Sequence, residues 1–114
     1  MKPFDKIYWH DGQIVEFNVI TPSKRKGAKI SLLLELYAHD QAEYRDHYEV
    51  VFEGVIKFTA TADMSSLKEN FSAGNIFSVV DYQNDSSIYR FYLMEGYIEI
   101  ESKKVKIKKQ KSGN

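Results

Sequence analysis

The stretch from residue 75 to residue 109 constrains the fold more than any other part of the sequence. It contains three or four short β-patterned runs, and turn-forming residues separate them. A polar loop from Gln83 to Ser87 joins the first two runs. Gly96 separates the next two and can adopt the positive φ of a tight reversal. This pattern predicts two consecutive β-hairpins.

Earlier parts of the chain add further strand patterns. Residues 14–20 alternate, and Val15, Phe17 and Val19 are expected on one face. Residues 28–38 carry isoleucine or leucine at every second position from 30 to 36, and residues 48–59 form a longer alternating run. Gly54 lies at the centre of that longer run, which predicts a bulge or a sharp bend.

Helical signals are few. A short helix is predicted near residues 63–71, because Asp63 can cap its start and Leu67 and Phe71 lie four positions apart. Residues 30–49 also contain good helix formers, so a helix is the alternative interpretation there. Six to seven strands with one short helix predict an all-β, mainly antiparallel fold, either a sandwich or a strongly curved, partly open barrel.

Length and composition set the broad class. A chain of 114 residues predicts one domain, residues 1–114, with residues 110–114 frayed. Cysteine is absent, which excludes disulfides, thiolate metal sites and a cysteine nucleophile. The first twelve residues lack the apolar run of a signal peptide, and no run approaches the ~18 apolar residues of a membrane helix. We therefore expect a soluble, cytoplasmic protein with no membrane partner.

Charge is balanced overall but unevenly distributed along the chain. Residues 1–29 hold six basic and three acidic residues, residues 30–101 hold four and thirteen, and residues 102–114 hold six and none. If the basic last strand lies beside an acidic one, this segregation disappears in the folded sheet. Lysines in a final edge strand also discourage pairing with another molecule.

Candidate catalytic groups are isolated. Each of the three histidines, His10, His39 and His47, adjoins an aspartate. Such pairs suggest a metal site or an acid-base site. Neighbours in a strand point to opposite faces, and no familiar ligand spacing accompanies these pairs, so we predict no metal site and no cofactor. No Gly-x-Ser-x-Gly elbow or phosphate-binding loop is present. We predict that the protein is not an enzyme, since a barrel enzyme or ligand binder would need the three histidines to converge on a cavity.

Tyrosines and acidic residues are interleaved between positions 37 and 53. Tyrosine is favoured at interface centres, and neighbouring carboxylates can meet a cationic partner. We therefore predict a protein partner, and the residues expected to bind it are Tyr37, Tyr44, Asp46, Tyr48 and Glu49. The alternative interpretation is an ordinary solvated connection between strands.

Two other associations follow from the residue pattern. Leu33, Tyr37, Val51 and Val55 make the second face of the sheet more apolar than a solvated one, so we expect the short helix or a second subunit to cover it. The alternative function is nucleic-acid binding by a small β-barrel, through the basic loop 24–29 and the lysines of residues 103–111.

A resemblance covers most of the chain. Residues 9–19 (WHDGQIVEFNV), 48–58 (YEVVFEGVIKF) and 74–107 (GNIFSVVDYQNDSSIYRFYLMEGYIEIESKKVKI) resemble small uncharacterised bacterial all-β proteins. Some of these are similar to the immunity proteins encoded beside polymorphic toxins. The shared motifs are turns and strands, so they imply a fold and assign no functional residue. Together with the residue pattern they suggest a non-enzymatic protein-binding module, such as an immunity-type inhibitor that covers a toxin's active site.

Overall fold

Six antiparallel β-strands make up the described part of the chain. A computed structural model describes residues 4, 6–62, 76–83, 87–94 and 96–110. The strands are β1 (Gln13–Ile20), β2 (Ala28–Tyr37), β3 (Arg45–Ala62), β4 (Ile76–Gln83), β5 (Ser87–Leu93) and β6 (Gly96–Lys109). They form one sheet in the order β1-β2-β3-β6-β5-β4, and every neighbouring pair is antiparallel.

This arrangement confirms the all-β, antiparallel prediction and both hairpins. The alternative helix over residues 30–49 is wrong, because that segment forms most of β2, a loop and the start of β3. The predicted helix at residues 63–71 lies outside the described residues. Within the described part of the chain, no helix is long and apolar enough to cross a membrane.

Two long strands belong to both halves of the sheet. β3 has 18 residues and β6 has 14. β2 pairs with the first part of β3, Arg45–Val55, whereas β5 pairs with the first part of β6, Gly96–Ser102. One half, the β1 half-sheet, therefore contains β1, β2, the start of β3 and the end of β6. The β4 half-sheet contains β4, β5, the start of β6 and the end of β3.

The sheet bends at Gly54. This residue has a φ of 62°, and the pairing register of β3 with β2 shifts at this position, whereas the register with β6 shifts two residues later, at Ile56. A left-handed backbone and an unpaired residue are the signs of a β-bulge, so the predicted bend is confirmed. It allows one strand to continue from the first half-sheet into the second.

Backbone hydrogen bonds show how far the sheet curls. The Asp11 N–H donates to the Ile76 carbonyl (3.1 Å), and the Ile76 N–H donates to the Gly12 carbonyl (2.6 Å). These bonds join the segment before β1 to the start of β4, although the two edges of a flat six-stranded sheet would lie roughly 24 Å apart. The described strands thus form one curled, open sheet rather than the two separate sheets of a sandwich.

The core lies between the two half-sheets. Phe4, from the N-terminal segment, packs against Trp9, Tyr89 and Phe91, with ring centroids 4.9, 4.8 and 6.0 Å away. The lone tryptophan, Trp9, therefore packs against the core. The buried apolar residues are Phe4, Ile30, Leu32, Leu34, Leu36, Val50, Phe52, Ile76, Tyr89, Phe91, Ile98 and Ile100. The predicted alternation of β2 is therefore also confirmed.

Two strands differ in detail from their sequence patterns. In β1 the register shifts between Ile14 and Glu16, so Val15 lies in a bulge and is 56% exposed; its predicted inward position is wrong. Phe17 and Val19 lie opposite Leu32 and Ile30 on the core side, as predicted. In β6, the part after Ser102 extends beyond β5 and pairs with β3, so within the described strands it forms an edge of the β1 half-sheet.

Glycine substitutions test the bend and the last hairpin. Gly96 has a φ of 129°, and an added Cβ would overlap the Thr61 carbonyl; Gly54 has a φ of 62°, and its Cβ would lie 3.1 Å from the Lys103 Cβ. We expect Gly96→Ala and Gly54→Ala each to lower the free energy of unfolding by about 1–3 kcal/mol in urea denaturation. Gly27→Ala is the control, because its nearest neighbour is 3.8 Å away. Equal stability of all three variants would show that neither positive-φ position requires glycine.

Candidate protein-binding surface

The five predicted partner-binding residues do not share one face. Tyr37 ends β2 on the outer side of the sheet, and Tyr44 lies in the loop before β3 and is 81% exposed. Asp46 and Tyr48 lie opposite Leu36 and Leu34 on the core side of the β1 half-sheet, whereas Glu49 lies opposite Leu33 on the outer side. Their shared sequence neighbourhood therefore does not produce one contact surface.

Arg45 organises this end of the sheet, although its sequence pattern did not predict such a role. Its guanidinium lies 4.9 Å from the centroid of the Tyr37 ring. Its Nη2 donates a hydrogen bond to the Asp11 carbonyl (2.8 Å), and its Nη1 lies 3.5 Å from Gln13 Oε1. Arg45 therefore holds the start of β3 against the segment that leads into β1. Its position as the one cation within the tyrosine-acid run was the available sequence signal.

The acidic and basic segments neutralise each other across β3 and β6. Asp46 Oδ2 lies 3.2 Å from Lys109 Nζ, and Glu53 Oε1 lies 3.3 Å from Lys106 Nζ. Glu49 is directly opposite Lys108 in the strand pairing. The predicted disappearance of the charge segregation is thus confirmed for these strands. Asp46 already has a cationic partner within the protein, which reduces what it can contribute to another one.

One residue of the first basic segment, Lys29, shares a face with three lysines of the second. Lys29 lies opposite Glu53, which lies opposite Lys104, on the outer side of the β1 half-sheet. Lys106 and Lys108 follow on the same side of β6. Glu49 and Glu53 lie between the lysines of β2 and β6, so this face has mixed charge.

The three histidines have separate local partners. His10 Nε2 lies 3.5 Å from Asp11 Oδ2, and His47 Nδ1 lies 3.9 Å from Glu35 Oε2. His39 Nδ1 accepts a hydrogen bond from the backbone N–H of Gln41 (3.2 Å). Among the described residues, no group of three or more histidine and carboxylate side chains is placed to hold a metal ion.

A polar cluster around Arg90 lies on the outer side of the β4 half-sheet. Arg90 Nε donates to Glu99 Oε1 (2.8 Å), Arg90 Nη2 donates to the same oxygen, and Arg90 Nη1 donates to the Tyr92 hydroxyl (3.0 Å). The guanidinium also lies 5.8 Å from the ring centroids of Tyr92 and Tyr97. The hydrogen bonds to Tyr92 and Glu99 raise the pKa of Arg90 above its usual value. These polar groups satisfy one another, so the cluster mainly stabilises the pairing of β5 with β6.

Exposed apolar side chains concentrate around β1. Seven large hydrophobic residues in the described part of the chain are exposed, and five of them lie on β1 or beside it. We call these five the β1 surface: Val15, Val19, Ile20, Ile56 and Phe58. Val19, Ile56 and Phe58 line one cavity, and apolar area of this kind is typical of interaction sites.

A cavity of about 220 Å³ lies within the β1 surface. Its lining residues are Val19, Thr21, Pro22, Ala28, Ile30, Val55, Ile56, Lys57 and Phe58. The cavity is therefore mainly apolar and lies where β3 bends away from the β1-β2 hairpin. The exposed basic loop that follows Pro22 is held in a turn, because the Ser23 hydroxyl accepts hydrogen bonds from the N–H groups of Arg25 and Lys26 (3.3 and 3.2 Å).

Three of the four residues predicted to make the second sheet face apolar lie on the outer side of the β1 half-sheet, namely Leu33, Tyr37 and Val51. Leu33 and Val51 lie on the outer side of the sheet, where each is half-buried. Tyr37 lies against Arg45, and Val55 lines the cavity. The predicted apolar character of this face is thus confirmed for three of its four residues.

No protein-family model matches this sequence, and no curated protein matches it.

Substitutions at the start of β3 test the separation between anchoring and exposed residues. We expect Arg45→Met to lower the free energy of unfolding by about 1–2 kcal/mol, because it removes the bond to the Asp11 carbonyl. Tyr44→Ala should change it by less than about 0.5 kcal/mol, since an exposed side chain contributes little packing. Urea denaturation of both variants measures these values. A larger loss for Tyr44→Ala would show that this tyrosine is part of the folded core.

Proposed function

We propose that this chain is a non-enzymatic protein-binding module, with an immunity-type inhibitor of a bacterial toxin as its concrete form. The observation that carries the proposal is the β1 surface, which gathers five exposed apolar side chains around one edge of the sheet. Exposure of large apolar side chains to water is unfavourable in free energy, and a bound partner removes this exposure.

The loop that carries Tyr44 borders this surface. Arg45, the next residue, contacts Asp11 and Gln13 immediately before and at the start of β1. Tyr44 is 81% exposed, and Asp40 and Glu43 in the same loop are exposed as well. An interface that extends from this loop along β1 would include an aromatic anchor, an acidic rim and an apolar centre, as protein interfaces commonly do.

The protein encoded by the neighbouring gene is the first partner to test. In surface plasmon resonance, we expect Val15→Lys and Tyr44→Ala each to weaken the complex by about 2 kcal/mol, mainly through faster dissociation. Met94→Lys is the matched control, because Met94 is as exposed as Val15 (both 56%) but lies in the β5-β6 turn. For the inhibitor form, co-expression should protect cells from that partner's toxicity. Undiminished binding by both variants would contradict the proposed surface.

Nucleic-acid binding is the second candidate function. The observation in its favour is the common face of Lys29, Lys104, Lys106 and Lys108. Glu49 and Glu53 lie among these lysines, and among the described strands of this face Tyr37 is the one aromatic residue, already stacked on Arg45. A face of mixed charge without a free stacking platform is a weak binder of phosphate backbones.

Fluorescence anisotropy with single-stranded DNA distinguishes the two functions. We expect weak binding that disappears between about 50 and 200 mM salt, as for non-specific contacts with few phosphates. Binding that persists at the higher salt concentration, and that Lys104→Glu and Lys106→Glu abolish, would establish the nucleic-acid function instead.

A further inference from the structure

We propose that an extended segment of a partner protein, acidic at its N-terminal end, binds along β1 as an additional antiparallel strand. The proposal rests on the protein-binding function and specifies how the β1 surface would bind. It combines three features in and around that surface, namely a backbone edge with which no described strand pairs, an apolar cavity and a basic loop.

The backbone of β1 offers a template for such a strand. β1 pairs with β2 along one side, and none of the described strands pairs with its other side. An edge strand presents unpaired N–H and C=O groups that another strand can bind. The bulge at Val15 interrupts this pattern near the start of β1, so the regular part of the template is Glu16–Ile20.

β1 lacks the features that protect the opposite edge of its half-sheet. The end of β6 carries lysine at positions 103, 104, 106, 108 and 109, and charged edges resist strand addition. In β1, Glu16 is the only charged residue, and the strand contains no proline. Of these two edges, β1 is the one that permits pairing with another strand.

The cavity supplies side-chain specificity at the end of β1. Val19 lies on the core side of β1 and lines the cavity together with Ile56 and Phe58. Alternate side chains of an added strand point toward the same side as Val19. One of them, if apolar, would cover Val19 and reach the cavity mouth, which replaces exposed apolar surface with an apolar contact.

The basic loop determines the charge of the partner. Lys24, Arg25 and Lys26 are exposed just beyond the end of β1, and none of them forms an ion pair with another described residue. Every strand pair in the sheet is antiparallel, and antiparallel pairing is slightly the more stable kind. An antiparallel partner strand begins at this loop, so its N-terminal residues are the ones that should be acidic.

A designed peptide tests strand addition directly. The probe has three acidic residues followed by alternating valine and threonine, and it is titrated into the full ¹⁵N-labelled chain. We expect alternate amides of Glu16–Ile20 to exchange with solvent at least ~10-fold more slowly when the peptide is bound. N-methylation of one alternating set of peptide amides should abolish binding, whereas methylation of the other set should not. Unchanged exchange at millimolar peptide, or equal effects of both methylated sets, would overturn the proposal.

Variants of the chain test the cavity and the loop separately. Val19→Lys should weaken peptide binding at least ~10-fold, while Met94→Lys leaves it unchanged. Replacement of Lys24, Arg25 and Lys26 by glutamate should weaken binding of the acidic peptide. The same variant should bind a peptide that begins with three lysines more tightly than the unmodified chain does. An effect of Met94→Lys equal to that of Val19→Lys would refute the assignment to β1.

Two further outcomes would assign the β1 surface to a different occupant or a different mode of binding. A dimer in sedimentation that Val19→Lys dissociates would show that a second copy of this chain occupies β1, which overturns the proposed partner. If the peptide fails but Val15→Lys and Tyr44→Ala still weaken the complex with a protein partner, strand addition is wrong and the protein-binding function stands. If the peptide does not bind, and the variants leave the affinity for a protein partner unchanged, both proposals fail.

Discussion

The left-handed backbone at Gly54 is the constraint on which the rest of the structure depends. The backbone of any residue at this position has to adopt a φ of 62°. Few residues other than glycine tolerate this conformation. Because the strand bends there, its first half pairs with β2 and its second half continues beside β6 into the β4 half-sheet. The passage of β3 from one half-sheet to the other depends on this bend and on the second register shift at Ile56.

Charge has a structural role before it has a functional one. The thirteen acidic residues between positions 30 and 101 suggest a cationic partner when the sequence is considered alone. In the folded sheet, the acidic residues of β3 lie opposite the lysines of β6, and Asp46 and Glu53 form ion pairs there. Exposed pairs of this kind contribute little stability, but they reduce the net field of the surface.

Much of the fold could be predicted from local sequence, because alternation and turn residues act over short distances. The strands, the bend at Gly54 and the inward side of β2 were accessible in this way. The choice between a sandwich and a curled sheet was not, since it depends on hydrogen bonds between Asp11, Gly12 and Ile76. The exposure of Val15 was also inaccessible, because one bulge reverses which side chains face the core.

The predicted binding residues illustrate the same limit. Proximity in sequence suggested that Tyr37 to Glu49 act together, but strand alternation divides them between two faces. The β1 surface was missed because its members come from β1 and from residues 56–58, which the bend in β3 brings together. Only the tertiary arrangement shows that these apolar positions are left uncovered by the described parts of the chain.

The hydrogen bonds between Gly12 and Ile76 have a consequence for the order of folding. These residues are 64 positions apart in the chain, so the entropy cost of bringing them together is high unless intervening structure shortens the path. The β1-β2 and β5-β6 hairpins are local, whereas the long pairing of β3 with β6 must precede contact between the two edges. Closure of the curl is therefore expected late in folding, and core residues at the joined edge, such as the buried Ile76, remain open to wrong partners until that step is complete.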